Sequence, residues 1–234
     1  MIGDFDYAQA RMQARFGARA SANAWTQAHA AKSLDAFLET ARRSALAAWI
    51  AALETESTQE GREGRLRERL RGRIAELASW LPEPWREAMR WTARLVDLPA
   101  IQYLASGRPA WPWMRGEATL AAPLREGRAP ERPQRLLDEW LAAWRERWPA
   151  ADAGERAGLE RLVTTVRGHL EAFPRSPPRD AWDARERFER SVVRIFREEA
   201  LAPAAAFAYV VLAALEAERV RAELVTRAAS GASS

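Results

Sequence analysis

The sequence predicts an all-α protein built from several helix bundles. Three observations support this class. Alanine, leucine, arginine and glutamate dominate the 234 residues, and all four favour helices. Asparagine occurs once, at Asn23, and isoleucine is sparse, so the turn-rich, β-branched composition of a sheet protein is missing. Apolar residues also recur at helical spacing along most of the chain. A hydrophobic content of 48% suffices for one large domain or two small ones.

Helical spacing predicts the elements of the first 105 residues. In the first helix, Phe5, Met12 and Phe16 fall on one face, and Gly17 ends it. Ser33 is suited to cap the third helix. The predicted helices cover residues 4–16, 20–31, 33–53, 66–78 and 84–95, with one further turn at 100–105. The polar segment 54–64, which contains two glycines, is predicted as a loop.

The stretch from Ser106 to Pro133 holds five prolines and is the least regular part of the chain. A loop of this length is usually functional or a linker, so we place a domain boundary here. The predicted organisation is an N-terminal helical bundle at 1–105, a connector at 106–133, a C-terminal bundle at 134–229 and a disordered tail at 230–234. Four long helices are expected in the C-terminal half, over residues 131–148, 154–173, 179–201 and 203–229.

The last predicted helix follows a break at Pro203 and changes character along its length. Its first half is apolar and its second half is charged. Glu216, Arg219 and Glu223 fall on one face with Arg227. This pattern predicts a helix with one half buried in a bundle and the other at a surface or partner.

Charge gives weak guidance about partners. The net charge is +4, with 36 basic and 32 acidic residues, so no strong global field is expected. Lys32 is the only lysine. In the stretch 62–73, Arg65, Arg69 and Arg73 share one helical face, which could bind nucleic acid or an acidic protein surface. Interleaved glutamates favour an ordinary solvated helix instead.

The chain contains eleven tryptophans, and two groups of them suggest hypotheses about binding. Trp140, Trp144 and Trp148 form one stripe, which is either a stacking platform for single-stranded nucleic acid or part of a bundle core. Their leucine neighbours favour the core. Trp111 and Trp113 lie in the proline-rich stretch, where they are either exposed anchors for a partner or a loop fixed onto the core.

No pattern indicates catalysis. The chain has no cysteine, no phosphate-binding glycine loop, no G-x-S-x-G and no HExxH, and His29 and His169 lie far apart. We therefore expect no catalytic, cofactor or metal site. The longest apolar run, 201–215, is shorter than the ~20 residues of a bilayer span. With no signal pattern at the N-terminus, we expect a cytoplasmic protein, peripheral to the inner membrane through a complex.

Three segments share motifs with one known family. The opening DFDYAQARMQARFGA contains Tyr7, Ala10 and Arg11 in a Y-x-x-A-R arrangement, and SLDAFLETARRSAL at 33–46 matches an F-L-x-x-L segment. The C-terminal helices place a tyrosine after a small apolar run and then alternating charges, at Tyr209, Glu216, Glu218, Arg219 and Arg221. In these segments the chain resembles the rotor-cap subunit of V-type and A-type rotary ATPases, a family with prokaryotic and eukaryotic members.

The resemblance implies a non-catalytic coupling part. Such a protein sits on the membrane rotor ring, receives the central stalk and transmits torque between ATP turnover and ion movement. It would bind no small-molecule substrate, cofactor or nucleic acid. Family members are longer and contain three similar bundles, so this chain resembles a shortened bacterial member, with two pseudo-repeated three-helix units in an elongated or funnel-like body. The alternative is a helical nucleic-acid-binding protein or a protein-interaction adaptor.

Overall fold

A computed structural model describes residues 5–53, 58–105, 108–116, 133–173, 177 and 180–231. The described residues form helices and no strand, which confirms the predicted all-α class. The α-helices are α1 (Asp6–Gly17), α2 (Ala22–His29), α3 (Leu34–Arg42), α4 (Ala47–Ile50), α5 (Gln59–Trp80), α6 (Glu83–Trp91), α7 (Leu98–Ala105), α8 (Pro112–Gly116), α9 (Pro133–Arg145), α10 (Ala153–Ala172), α11 (Ala181–Glu198) and α12 (Pro203–Gly231). Short 3-10 segments cover Ala51–Leu53 and Thr92–Asp97.

Side-chain caps define several helix starts. The predicted cap at Ser33 is confirmed, because its Oγ accepts a hydrogen bond from the Ala36 backbone N–H (3.2 Å). Asp152 and Glu155 form a reciprocal capping box at the start of α10. These contacts satisfy backbone N–H groups that a helix start otherwise leaves unpaired.

The loop predicted at 54–64 is wrong where the structure describes it. Helix α5 begins at Gln59, and the Thr58 Oγ1 accepts from the Gly61 backbone N–H (3.0 Å). The cap and the ion pair between Glu63 and Arg221 (2.7 Å) offset the low helix propensity of two glycines. The helix predicted over 33–53 is also broken, since α3 ends at Arg42 and a short α4 follows.

Helix α12 lies at the centre of the fold. It packs against α11, α10 and α5, and also against α1 and α3. Its start at Pro203 confirms the predicted break, and Phe207 near that start contacts the rings of Trp85 (6.2 Å) and Trp144 (4.9 Å). The small residues at the start of α12 let neighbouring helices approach it closely, while Phe207 fills the space between them.

One hydrophobic core joins the two predicted bundles. Its buried members run from Phe5 in α1 to Leu224 in α12 and include residues of α5, α6, α9, α10 and α11. Residues 117–132 of the predicted connector lie outside the described residues, as do residues 232–234 of the predicted tail. Helix α12 itself continues to Gly231, two residues beyond its predicted end. The pseudo-repeat and the funnel-like body stay predictions.

The tryptophan stripe of α9 and the turn after it belongs to the core. Trp144 and Trp148 are buried, and Trp140 is half-buried with its ring stacked on Trp144 (5.7 Å between centroids). The Trp144 Nε1 donates a hydrogen bond to the Ala88 carbonyl oxygen (3.1 Å). This confirms the core interpretation, because buried indole rings are not available to stack on nucleic-acid bases.

Among the helices that the structure describes, none combines the length and the apolar character that crossing a bilayer requires.

Candidate functional site

Three charged residues in the second half of α12 are buried, which corrects the expectation that these charges face solvent or a partner. Glu216 and Glu223 are each 4% exposed and Arg227 is 8% exposed. Val220 and Leu224, on the opposite face, are buried as well. The charges tolerate this position because each meets an opposite charge or a hydrogen-bond partner from another part of the chain.

Glu216 is the centre of the first buried cluster. Its Oε2 accepts from the Trp49 Nε1 (2.8 Å) and from an Arg73 guanidinium nitrogen (3.5 Å). Its Oε1 accepts from the Ala20 backbone N–H (3.4 Å) and lies 3.9 Å from the Nε of Arg19. One carboxylate therefore joins α12 to α4, α5 and the segment between α1 and α2.

Arg73 and Tyr209 complete this cluster. The Arg73 guanidinium lies over the Trp49 ring at 3.8 Å, and burial lowers its pKa from the usual value. Burial likewise raises the pKa of the Tyr209 phenol, which is 6% exposed. Tyr209 and Glu216 lie two helical turns apart on α12, and both act electrostatically on Arg73.

Glu223 and Arg227 form a second buried cluster further along α12. Arg227 pairs with Glu223 and donates to the carbonyl oxygens of Ala28 (3.1 Å) and His29 (3.0 Å) at the end of α2. Its guanidinium also lies over the Phe37 ring of α3 at 4.8 Å. A cation at a helix C-terminus is stabilised by the unpaired carbonyl groups there, so Arg227 fixes α2 and α3 onto α12.

The other family-matching charges of α12 are half-buried. Arg219 lies over the ring of Trp25 (4.2 Å) and that of Trp182 (5.3 Å). Arg221 donates to Glu63 of α5 (2.7 Å) and to Glu218 (3.3 Å). These contacts hold α12 against α2, α11 and α5, so Glu216, Arg219 and Arg221 serve packing between helices, whereas Glu218 pairs only with Arg221 of the same helix among the described contacts.

The opening motif lies on a different surface. Tyr7 is 57% exposed, and Ala10 and Arg11 are exposed too. The Arg11 guanidinium lies between two aromatic rings, 5.2 Å from that of Tyr7 and 5.4 Å from that of Trp80. The structure therefore brings Tyr209 and Glu216 together but leaves Tyr7 and Arg11 on the outer face of α1.

Trp111 and Trp113 belong to a smaller cluster with the buried residues Ala100 and Met114. Both indole side chains are half-buried, and the Arg67 guanidinium lies over the Trp113 ring at 4.3 Å. A cavity of about 30 Å³, room for a single water, separates this cluster from Arg221. Both rings thus contact their own chain, and their role toward a partner stays a prediction.

On the predicted basic face of α5, Arg65 is exposed and pairs with Glu68 of the same helix, whereas Arg69 and Arg73 have partners elsewhere in the chain. Arg67, which the sequence pattern left off that face, is 6% exposed and pairs with the buried Asp97, as does Arg71. Arg73 binds Glu216, and the Arg69 Nε donates to the Ala48 carbonyl oxygen (3.1 Å). Such engaged guanidinium groups are poorly placed to neutralise phosphates.

Sequence reasoning did not assign several residues to the buried clusters, namely Trp49, Arg73, Arg19, Glu223 and Arg227. No local signal marks their burial, because the carboxylates of α12 meet partners from the first 75 residues. Across the described residues, no group of three or more histidine, aspartate or glutamate side chains is placed to hold a metal ion.

An open groove of about 900 Å³ lies beside these clusters. Residues around the start of α2, a long stretch of α11 and Arg219 of α12 line it.

Comparison of the chain with protein-family models, curated proteins and solved structures finds no match. The likeness of its two ends to the rotor-cap family therefore stays a prediction.

Proposed function

We propose that this chain is a non-catalytic rotor-coupling subunit, linking the central stalk of a V/A-type ATPase to its membrane ion-translocating ring. One observation carries the proposal: two of the three segments that resemble the rotor-cap family pack on the helix that contains the third. Helices α1 and α3 both pack on α12, although most of the chain separates them in sequence. Glu216, at a family-matching position, is the buried junction of this arrangement.

Torque transmission requires a body whose helices do not slide past one another. The buried charges of α12 resist sliding, since a shift in register would leave Glu216, Glu223 or Arg227 buried without a partner. Separating such a pair costs about 3–5 kcal/mol. Helix α12 spans 29 residues, roughly 44 Å, and ties α2, α3, α4 and α5 into one unit through these contacts.

The outer face of α1 supplies a surface for a partner. Tyr7 and Arg11 occupy family-matching positions, are exposed, and present an aromatic ring and a cation side by side. Tyrosine and arginine are enriched among residues that dominate protein interfaces. We assign this face to contact with the stalk or the ring.

Affinity purification from the native host tests the proposal. We expect a tagged chain to co-purify the stalk and ring components of a rotary ATPase, and the double variant Tyr7→Ala/Arg11→Ala to recover less of them. Arg156→Ala, at an exposed arginine of α10 outside the three matching segments, is the matched control and should recover as much as the wild type. The assignment would be contradicted if the host genome carried no rotary-ATPase genes near the gene for this chain. Recovery of an intact ATPase that lacks the chain would contradict it as well.

A protein-interaction adaptor outside a rotary ATPase is the second candidate. The groove along α11 favours it, because a concave surface of this size suits a protein segment whichever complex that segment belongs to. The same purification separates the two candidates, since an adaptor would recover a stable set of proteins without any ATPase component.

A further inference from the structure

The groove between α2, α11 and α12 is lined by apolar and charged side chains. Ala20, Ala22 and Val193 supply apolar lining, and Trp25, which is 5% exposed, lies beneath Arg219. Along α11, residues from Glu186 to Glu198 line it, which corresponds to roughly 18 Å of helix. The groove is open to solvent and long enough for about three turns of a helix from another protein.

The acidic side chains of the groove are already paired. Glu189 accepts from Arg19 (2.8 Å), and Glu198 pairs with Arg161 (3.0 Å). Glu186 lies 3.7 Å from Arg190. Each wall carboxylate therefore has a cation of this chain beside it.

Two groove arginines lack such a partner. Within the described ranges, no carboxylate lies within 4 Å of the guanidinium of Arg194 or Arg197. Both side chains are exposed, and the Arg197 guanidinium lies 5.9 Å from the centroid of the Phe16 ring. This side of the groove consequently presents positive charge to solvent.

We propose that this groove binds an acidic amphipathic helix of a partner protein. Arg190, Arg194 and Arg197 follow one another at i, i+4 and i+7, so they form one row on α11. A partner helix with carboxylates at the same spacing meets that row, while its leucine-type face covers Ala22 and Val193. The inference concerns this surface alone and does not rest on the rotor-coupling assignment.

The wall carboxylates argue against nucleic acid as the occupant. A phosphate backbone presents negative charge at every nucleotide, so it would meet Glu186, Glu189 and Glu198 as well as the arginines. An amphipathic helix places its carboxylates only along one row, and therefore matches a groove in which the arginines also form a row.

A synthetic peptide tests the proposal with the full-length chain. The probe is a fluorescein-labelled helical peptide of about 20 residues, with glutamate at i, i+4 and i+7 on one face and leucine on the other. The reference peptide has glutamine in place of each glutamate. Fluorescence anisotropy at about 50 mM NaCl should detect binding of the glutamate peptide, and about 300 mM NaCl should weaken it because surface ion pairs are screened.

The double variant Arg194→Gln/Arg197→Gln should weaken binding about tenfold. Both side chains are exposed, so the variant keeps the fold, and its urea midpoint checks this. Arg156→Gln, an exposed arginine of α10 outside the groove, is the matched control and should bind like the wild type. The proposal is overturned if the glutamate peptide does not bind or if the glutamine peptide binds equally well. It is also overturned if Arg156→Gln loses as much affinity as the double variant, or if a single-stranded oligonucleotide of similar length binds more tightly than the glutamate peptide.

Discussion

At the scale of single residues, burial determines what the charges of α12 do. Glu216, Glu223 and Arg227 have the spacing of a solvated helical face, yet each is less than a tenth exposed. A buried ion carries a desolvation penalty that only close partners offset. Trp49, Arg73 and the carbonyl groups at the end of α2 are those partners. These side chains consequently act as structural connections between helices.

Removing the Glu216 carboxylate should destabilise the fold strongly. We expect Glu216→Ala to lower the free energy of unfolding by about 3–5 kcal/mol, because Arg73 and Arg19 lose their shared counterion. Glu218→Ala, two residues further along α12, is the control. Its half-exposed carboxylate pairs with Arg221 at the surface, so the loss should stay below about 1 kcal/mol. Urea denaturation measures both, and equal losses would contradict the central role of Glu216.

His169 should make stability depend on pH. Its ring stacks on Phe188 (4.1 Å, 1° between planes), and burial, together with the nearby charge of Arg185, lowers its pKa below the usual 6.5. The unfolded chain then binds a proton where the folded protein does not. The stability gained from the neutral ring is therefore present above about pH 6.5 and is lost as the pH falls through the lowered pKa.

The test compares wild type with His169→Phe, which keeps a ring over Phe188 but cannot titrate. Urea midpoints measured from about pH 7.5 down to about pH 5.5 should fall more steeply for the wild type. Parallel curves for the two proteins would show that His169 is not the group responsible.

At the scale of elements, the joint between α11 and α12 contains the one strained backbone position among the described non-glycine residues. Leu201 has a φ of 66°, in the left-handed region, and its side chain is 44% exposed. A β-carbon disfavours this conformation by roughly 1–2 kcal/mol. The strain lies where the chain must reverse within the few residues between two long helices, at a position where glycine is the usual residue.

Glycine at this position should relieve the strain. We expect Leu201→Gly to be about 1 kcal/mol more stable than Leu201→Ala, since alanine keeps the β-carbon while removing the same exposed side chain. Thermal or urea unfolding of the two variants measures the difference. An alanine variant at least as stable as the glycine variant would refute the strain.

Sequence patterns predicted the helices more fully than the contacts that each helix makes with distant parts of the chain. The apolar stripes, the Ser33 cap and the Pro203 break depend on nearby residues, and each was found at or near its predicted position. The start of α5 was missed because Gly61 and Gly64 suggested a loop, while a cap and a distant ion pair stabilise the helix. The buried state of Glu216 depends on residues from the first third of the chain, and no local pattern contains that information.

At the scale of the whole molecule, α12 unites the fold. It packs against α1, α3 and α5 from the first half of the chain and against α10 and α11 from the second. The core is continuous from Phe5 to Leu224, and residues of α12 belong to it together with residues of both halves. We therefore expect both halves to unfold together, although the sequence suggested separate bundles.

Cooperative unfolding should be visible in two independent probes. Tryptophan fluorescence reports on buried rings in both halves, among them Trp49, Trp85 and Trp144, while far-ultraviolet circular dichroism reports on all helices. We expect the two urea transitions to coincide. Two resolved transitions would instead indicate bundles that fold independently.

The proposed coupling function can be tested by removing the whole protein. A rotor-coupling part has no chemistry of its own, so its absence should break the link between ATP turnover and ion movement. ATP-driven ion uptake into inverted membrane vesicles from a deletion strain of the native host measures that link. We expect uptake at background level in the deletion strain and full recovery when the wild-type gene is restored. Uptake equal to that of the parent strain would show that the chain does not couple ATP turnover to ion movement.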